Sequence, residues 1–131
     1  MSTTVTRPAD VVRSVYEAFE RRDVPAVLEL FDPEIVITQS EEVPWGGTHR
    51  GHQGALEFFG RLGACIETNV EIDRLIVAGD AVVEIGRTRG HAVGSERPFE
   101  IHEAHVWRVR DGRVVGMDAY VDNAKMLEAL A

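Results

Sequence analysis

An α+β fold, with helices packed on one face of a curved antiparallel sheet, is predicted by three observations. The first third of the chain carries apolar residues at helical spacing, whereas from Ile66 onward apolar residues alternate or cluster as in strands. Between the last two strand-like runs stands Asp111-Gly112, a strong short-range hairpin signal. The order helix, helix, strand, helix, then four antiparallel strands and a terminal helix closes such a sheet into a cone.

Taken in order, Pro8 to Arg22 reads as an amphipathic helix. Val12, Val15, Tyr16 and Phe19 share one side of it, and Pro8 suits its first turn. Asp23 is a natural N-cap for a short second helix through Val27, Leu30 and Phe31, which Asp32-Pro33 ends. Glu34 to Gln39 is rich in β-branched residues and predicts a first strand. The connection SEEVPWGGTHRG is long and glycine-rich, as binding loops and lids often are. A third helix runs from His52 to Leu62, with Gly63 as its stop. Ile66 to Val77 and Ala81 to Arg89 are strands joined at Ala78-Gly79-Asp80, and Gly90 to Pro98 is a looser link. The hairpin of Pro98 to Asp122 follows, and Asp122 caps a closing helix containing Met126, Leu127 and Leu130.

The length of 131 residues suits one domain with a full hydrophobic core. Fourteen basic against 22 acidic residues give a net charge of −8, which argues against nucleic acid or an anionic membrane as the main partner. The single cysteine, Cys65, excludes an intrachain disulfide and suits a reducing compartment. With no leader-like N-terminus and no apolar run long enough to span a bilayer, the expected location is cytoplasmic.

Strand alternation within the hairpin puts Phe99, Ile101, Glu103, His105, Trp107 and Val109 on one face. That face is otherwise apolar, so Glu103 and His105 need partners, water or a ligand. His105 is the leading candidate for acid/base work, since an imidazole in a semi-apolar pocket is the default acid/base at neutral pH. The bland alternative is a buried histidine bonded to Glu103, Tyr16 or Gln39. Glu103 either orients His105, acts as the acid itself, or pairs with Arg87 on the next strand, where Arg87 is expected to share the pocket face with Val83 and Ile85. Trp45 and His49 belong to a loop that either folds over the pocket mouth as a lid or plugs the end of the cone. No metal is expected: His102 and His105 point to opposite strand faces, and His49 and His52 lack a third ligand.

The runs VVRSVYEAFERRDVPAVLELFDPEIVI, PWGGTHRGHQGALEFFGRL and HVWRVRDGRVVGMDAYVD resemble the nuclear transport factor 2-like superfamily, in particular its SnoaL-like and ketosteroid-isomerase-like members. The resemblance spans Val11 to Leu130 and implies a cystatin-like α+β roll around a cone-shaped pocket. It implies chemistry less firmly, because the fold hosts isomerases, dehydratases, epoxide hydrolases, cyclases and binding domains. The general-base aspartate of ketosteroid isomerases falls on Gln39, their helix-borne tyrosine on Val15 beside Tyr16, and their protonated aspartate on or beside His105. The last-strand aspartate of limonene-epoxide-hydrolase-like enzymes falls on Ala119, with Asp118 facing away and Arg87 available. Neither set is complete.

The reading is therefore a pocket for an apolar to moderately polar organic molecule, without cofactor. His105, Glu103 and Gln39 are the catalytic candidates; Tyr16, Trp45, His49, Phe59, Arg87, Trp107, Met117 and Ala119 are the candidate pocket residues. Isomerisation, dehydration or cyclisation would fit. The rivals are a non-catalytic ligand-binding domain and an interaction scaffold. The resemblance implies a homodimer through the outer sheet face, which carries Val106, Tyr120, His102, Arg108 and Asp118.

Overall fold

The computed structural model describes residues 7–131. Its elements are α1 (Pro8–Glu20), α2 (Val24–Leu30), β1 (Phe31–Gln39), β2 (Gly47–Arg50), α3 (Gly51–Cys65), β3 (Ile66–Ala78), β4 (Ala81–Ala92), β5 (Phe99–Arg110), β6 (Arg113–Val121) and α4 (Asn123–Leu130). The six strands form one sheet in the order β2-β1-β6-β5-β4-β3. All neighbours are antiparallel except β1 and β6, which run parallel, so the sheet is mixed rather than purely antiparallel.

The local signals act as physical chemistry requires. Asp23 and Asp122 each accept a backbone N–H three residues on, from Ala26 and Lys125 at 3.2 Å, satisfying an orphan donor at the start of α2 and α4. Asp111 and Gly112 take φ of 52° and 76°, the paired left-handed geometry that a two-residue hairpin turn demands. Val11, Val12, Val15 and Ala18 of α1 belong to one buried core with Ile35, Ile37, Trp107, Val109, Val114 and Met117 of the sheet.

Several bounds differ from the sequence reading, among them the end of α1 at Glu20 where Arg22 was expected. Phe31 opens β1 instead of closing α2, because its backbone is already extended. Gly63 lies inside α3, which continues to Cys65. The long connection contains β2, which pairs with β1. Finally, β4 extends to Ala92, held by β3 partners as far as Ile66.

Candidate functional site

The concave face of the sheet and the helices above it enclose a cavity of about 450 Å³. Its walls are mostly apolar and aromatic: Phe19 and Val15 from α1, Phe58, Phe59 and Leu62 from α3, and Trp45, Trp107, Met117 and Ala119 from the sheet side. Arg13, Glu17, Glu20, Thr68, Asn69, Glu71 and Thr88 also line it. Gln39, Glu103, His105 and Tyr16 reach the cavity from β1, β5 and α1.

Four of the polar side chains at the sheet end form one hydrogen-bonded group. The Trp107 indole N–H donates to the Tyr16 hydroxyl oxygen at 2.9 Å. The same oxygen lies 2.6 Å from His105 Nδ1 and 3.2 Å from Glu84 Oε1. Tyr16 has one proton to give, and the shorter contact directs it to Nδ1. His105 then carries its own proton on Nε2, which lies 3.3 Å from Glu103 Oε2. On its other side His105 Nδ1 is 3.3 Å from Glu84 Oε1. Packing fixes the ring further: Trp107 meets both Tyr16 and His105 edge-to-face, at 5.5 and 6.1 Å between centroids.

Glu84 and Glu103 meet above Gly86. Gly86 is the cross-strand partner of Glu103, and a Cβ there would overlap Glu84 Oε2 and lie 3.0 Å from Glu103 Oε1. The missing side chain is what makes room for two carboxyl groups. Treated as carboxylates, Glu84 Oε2 and both Glu103 oxygens would be buried with no donor. A shared proton resolves this. Burial, and then the proton donated to Glu84, push the Glu103 pKa up to about 10, so Glu103 is neutral at physiological pH. Burial also raises Glu84, partly offset by the hydrogen bonds it accepts from Glu103 and Tyr16. It lowers His105 to about 4, leaving a neutral imidazole, and holds Tyr16 protonated. The wall of the cavity thus presents a neutral imidazole backed by a buried carboxylic acid.

Glu84, Glu103 and His105 offer three metal-ligand atoms within 4.8 Å of one another, a trio the sequence reading did not weigh. Two of those atoms, His105 Nδ1 and Glu84 Oε1, are both in contact with the Tyr16 hydroxyl.

Of the residues singled out from sequence, Gln39, Glu103, His105, Tyr16, Trp45, Phe59, Trp107, Met117 and Ala119 line the cavity. Two do not. Arg87 points out of the opposite face of the sheet, where it bonds Glu71 and Asp73 at 2.6 and 2.9 Å and pairs with Glu100. It faces His102 in register, so the pocket face of β4 carries Val82, Glu84, Gly86 and Thr88, not Val83, Ile85 and Arg87. The suggested Glu103–Arg87 pair is excluded with it. His49 is buried outside the cavity, donating from Nε2 to the Trp45 carbonyl at 3.2 Å and packing on Phe58. Trp45 is 2% exposed and donates its indole N–H to Gln39 Oε1 at 3.0 Å, so it plugs the cone rather than covering its mouth.

Glu84, fully buried, was missed. Both faces of AVVEIGR are apolar enough to mislead strand parity, and the signal available was Gly86, which marks the face where another group needs its space.

A cone of mixed sheet closed by N-terminal helices around a polar-floored apolar cavity defines the nuclear transport factor 2-like class. The SnoaL-like domain family model matches residues 12–117, and the chain belongs to that family. Among solved structures it is similar to an NTF2-like protein of unknown function from Burkholderia pseudomallei K96243, with 32% identity, a TM-score of 0.89, and 95% and 97% of the two chains covered. An NTF2-like protein from Burkholderia thailandensis E264 is 31% identical, with a TM-score of 0.85 and coverage of 100% and 99%. IdmH, a candidate polyketide cyclase from Streptomyces antibioticus, is 29% identical, with a TM-score of 0.79 and coverage of 95% and 98%. No curated protein matches the chain.

Proposed function

We propose that this protein is a cofactor-free enzyme that moves a proton on a small, mostly apolar carbonyl compound, in an isomerisation, dehydration or cyclisation. The observation that carries this reading is the neutral imidazole of His105 standing 3.3 Å from the protonated carboxyl of Glu103 on the wall of an apolar cavity. A neutral imidazole can accept the α-proton, and the Gln39 amide, which also lines the cavity, can donate to a developing enolate oxygen, the Glu103 proton being engaged by Glu84. The base must free Nε2. When Tyr16 turns its proton to Glu84 Oε1, Nδ1–H donates to the Tyr16 oxygen or to Glu84, and Nε2 becomes the lone pair at the cavity. Tyr16 and Glu84 are thus positioning residues for the tautomer. The likeness to a candidate polyketide cyclase supports carbonyl chemistry of this kind.

The test is exchange of α-protons for deuterium in cyclic ketones, followed by mass spectrometry. Wild type should accelerate exchange and His105→Gln should not; equal rates would end the reading.

A second reading, a binding domain without turnover, is favoured by one observation: with the Tyr16 proton on Nδ1, His105 offers the cavity an N–H and no lone pair. Saturable binding of a ketone without exchange would select it.

A further inference from the structure

Strand register sets four residues in one row across the sheet. Gln39 of β1 faces Ala119 of β6, Ala119 faces His105 of β5, and His105 faces Glu84 of β4. Neighbouring strands are 4.7–4.9 Å apart, so the Cα atoms of Gln39 and His105 stand roughly 9–10 Å from each other. Between them lies only the methyl group of Ala119. The floor of the cavity is therefore a small apolar step flanked by two polar groups.

What Gln39 presents is fixed by Trp45. An indole nitrogen donates and never accepts, so the amide atom facing it at 3.0 Å is the oxygen. The amide NH2 must then point the other way. Gln39 lines the cavity, and among the described residues no acceptor meets its nitrogen. The position that holds a carboxylate base in the enzymes this chain resembles is here a donor. At the other end of the row His105 Nε2–H also donates, while the Glu103 carboxyl oxygens are buried behind it with their proton directed to Glu84. No lysine or arginine stands at this floor; the basic residue lining the cavity is Arg13, exposed on α1.

We infer that the cavity takes a neutral ring compound bearing oxygen at opposed positions, one oxygen held by the Gln39 amide and the other by His105 Nε2–H, with the ring lying over Ala119. This refines the small-molecule reading above and rests on it. A carbonyl or ether oxygen satisfies the amide, whereas an ammonium group would be repelled by it and a carboxylate finds no cation. Gln39 acts on specificity by touching the ligand, and Trp45 acts through Gln39 by locking the amide.

The experiment is a calorimetric titration with tetralin, 1-tetralone and 4-hydroxy-1-tetralone, which share one carbon skeleton and carry zero, one and two oxygens. One neutral hydrogen bond changes affinity roughly 3- to 10-fold, so wild type should tighten by about that factor at each step. Gln39→Leu should bring the two-oxygen ligand down to the one-oxygen level and leave tetralin unchanged. Gln39→Glu should weaken both ketones more than Gln39→Leu does, because it sets an acceptor against an acceptor. Trp45→Phe keeps the plug and removes its N–H, and should weaken the two-oxygen ligand in wild type but not in a Gln39→Leu background.

Equal affinities across the series, an unchanged order in Gln39→Leu, or no binding at millimolar ligand would each overturn the inference. Affinity is read without turnover. A missing deuterium exchange therefore sinks the catalytic reading alone, and a lost oxygen preference sinks this one alone.

Discussion

Replacing Glu103 with glutamine should stabilise the protein at alkaline pH, although it alters a buried residue of the site. In the folded state Glu103 keeps its proton until about pH 10, whereas in the unfolded chain it ionises near 4.5. Between those values folding takes up nearly one proton, so stability falls as pH rises, by 1.36 kcal/mol per pH unit. His105 has the opposite slope: its folded pKa of about 4 lies below the ordinary 6.5, so stability climbs with pH between those values. Below 6.5 the two nearly cancel. Above it the Glu103 slope is no longer offset by His105. From pH 6.5 to about pH 9 the wild type should therefore lose about 3 kcal/mol, a large part of the roughly 5–15 kcal/mol that holds a domain folded.

Glutamine has nearly the same shape and, with its NH2 toward Glu84, still supplies a donor, but it has no proton to lose. Urea melts at several pH values should show a steep decline for wild type and a shallow one for Glu103→Gln, the curves parting progressively above pH 6.5. At pH 9 the variant's Tm should exceed wild type's by roughly 10 °C. A Glu103→Gln protein with the wild-type slope, or one destabilised equally at every pH, would refute the neutral carboxyl.

Other substitutions test separate parts of the site. Tyr16→Phe removes the hydroxyl between Trp107 and His105 and leaves both buried groups short of a partner; a loss of about 1–3 kcal/mol in denaturant melts is expected, with the pH optimum of ketone exchange displaced. Gly86→Ala sets a methyl against the Glu71 carbonyl and the Glu84 carboxyl, so a loss of about 3 kcal/mol or more should appear, together with disrupted β3–β4 amide protection. Asp122→Ala deletes the cap on α4, and about 1 kcal/mol of stability should go with it, read as faster hydrogen exchange at Lys125 and Met126. An unchanged Lys125 exchange rate would show that the cap does not hold the helix.

Most of the scaffold was legible because its signals are local. A capping aspartate, the Asp111-Gly112 turn and the apolar stripe of α1 each act within a few residues, and each acts where the sequence placed it. In β5 the alternation was clean, so Glu103 and His105 could be assigned to the inner face before any contact was known. In β4 it was not. Arg87 needed three acidic neighbours from β3 and β5 to explain it, and Glu84 needed a tyrosine 68 residues away. Those are long-range facts, absent from any window of sequence. The role of Trp45 was undecided for the same reason: a lid and a plug differ only in what the indole N–H finds, and it finds Gln39.

The parallel ladder of β1 against β6 bears on how the molecule is made. Ile37 pairs with Met117 and Gln39 with Ala119, contacts spanning about 80 residues, while β3 to β6 join through short turns. Loop-closure entropy favours the hairpins first and this seam late, and topologies rich in such distant pairings fold slowly. On that ground the chain emerging from the ribosome holds Gln39 and its tryptophan long before their floor exists, and the row across the sheet is completed by its last strand. A defect in β6 would therefore leave a chain with a formed acid–imidazole wall only in part and an unpaired β1 edge exposed. Such a species is prone to aggregate, so the seam that finishes the cavity is also the step at which this fold is most easily lost.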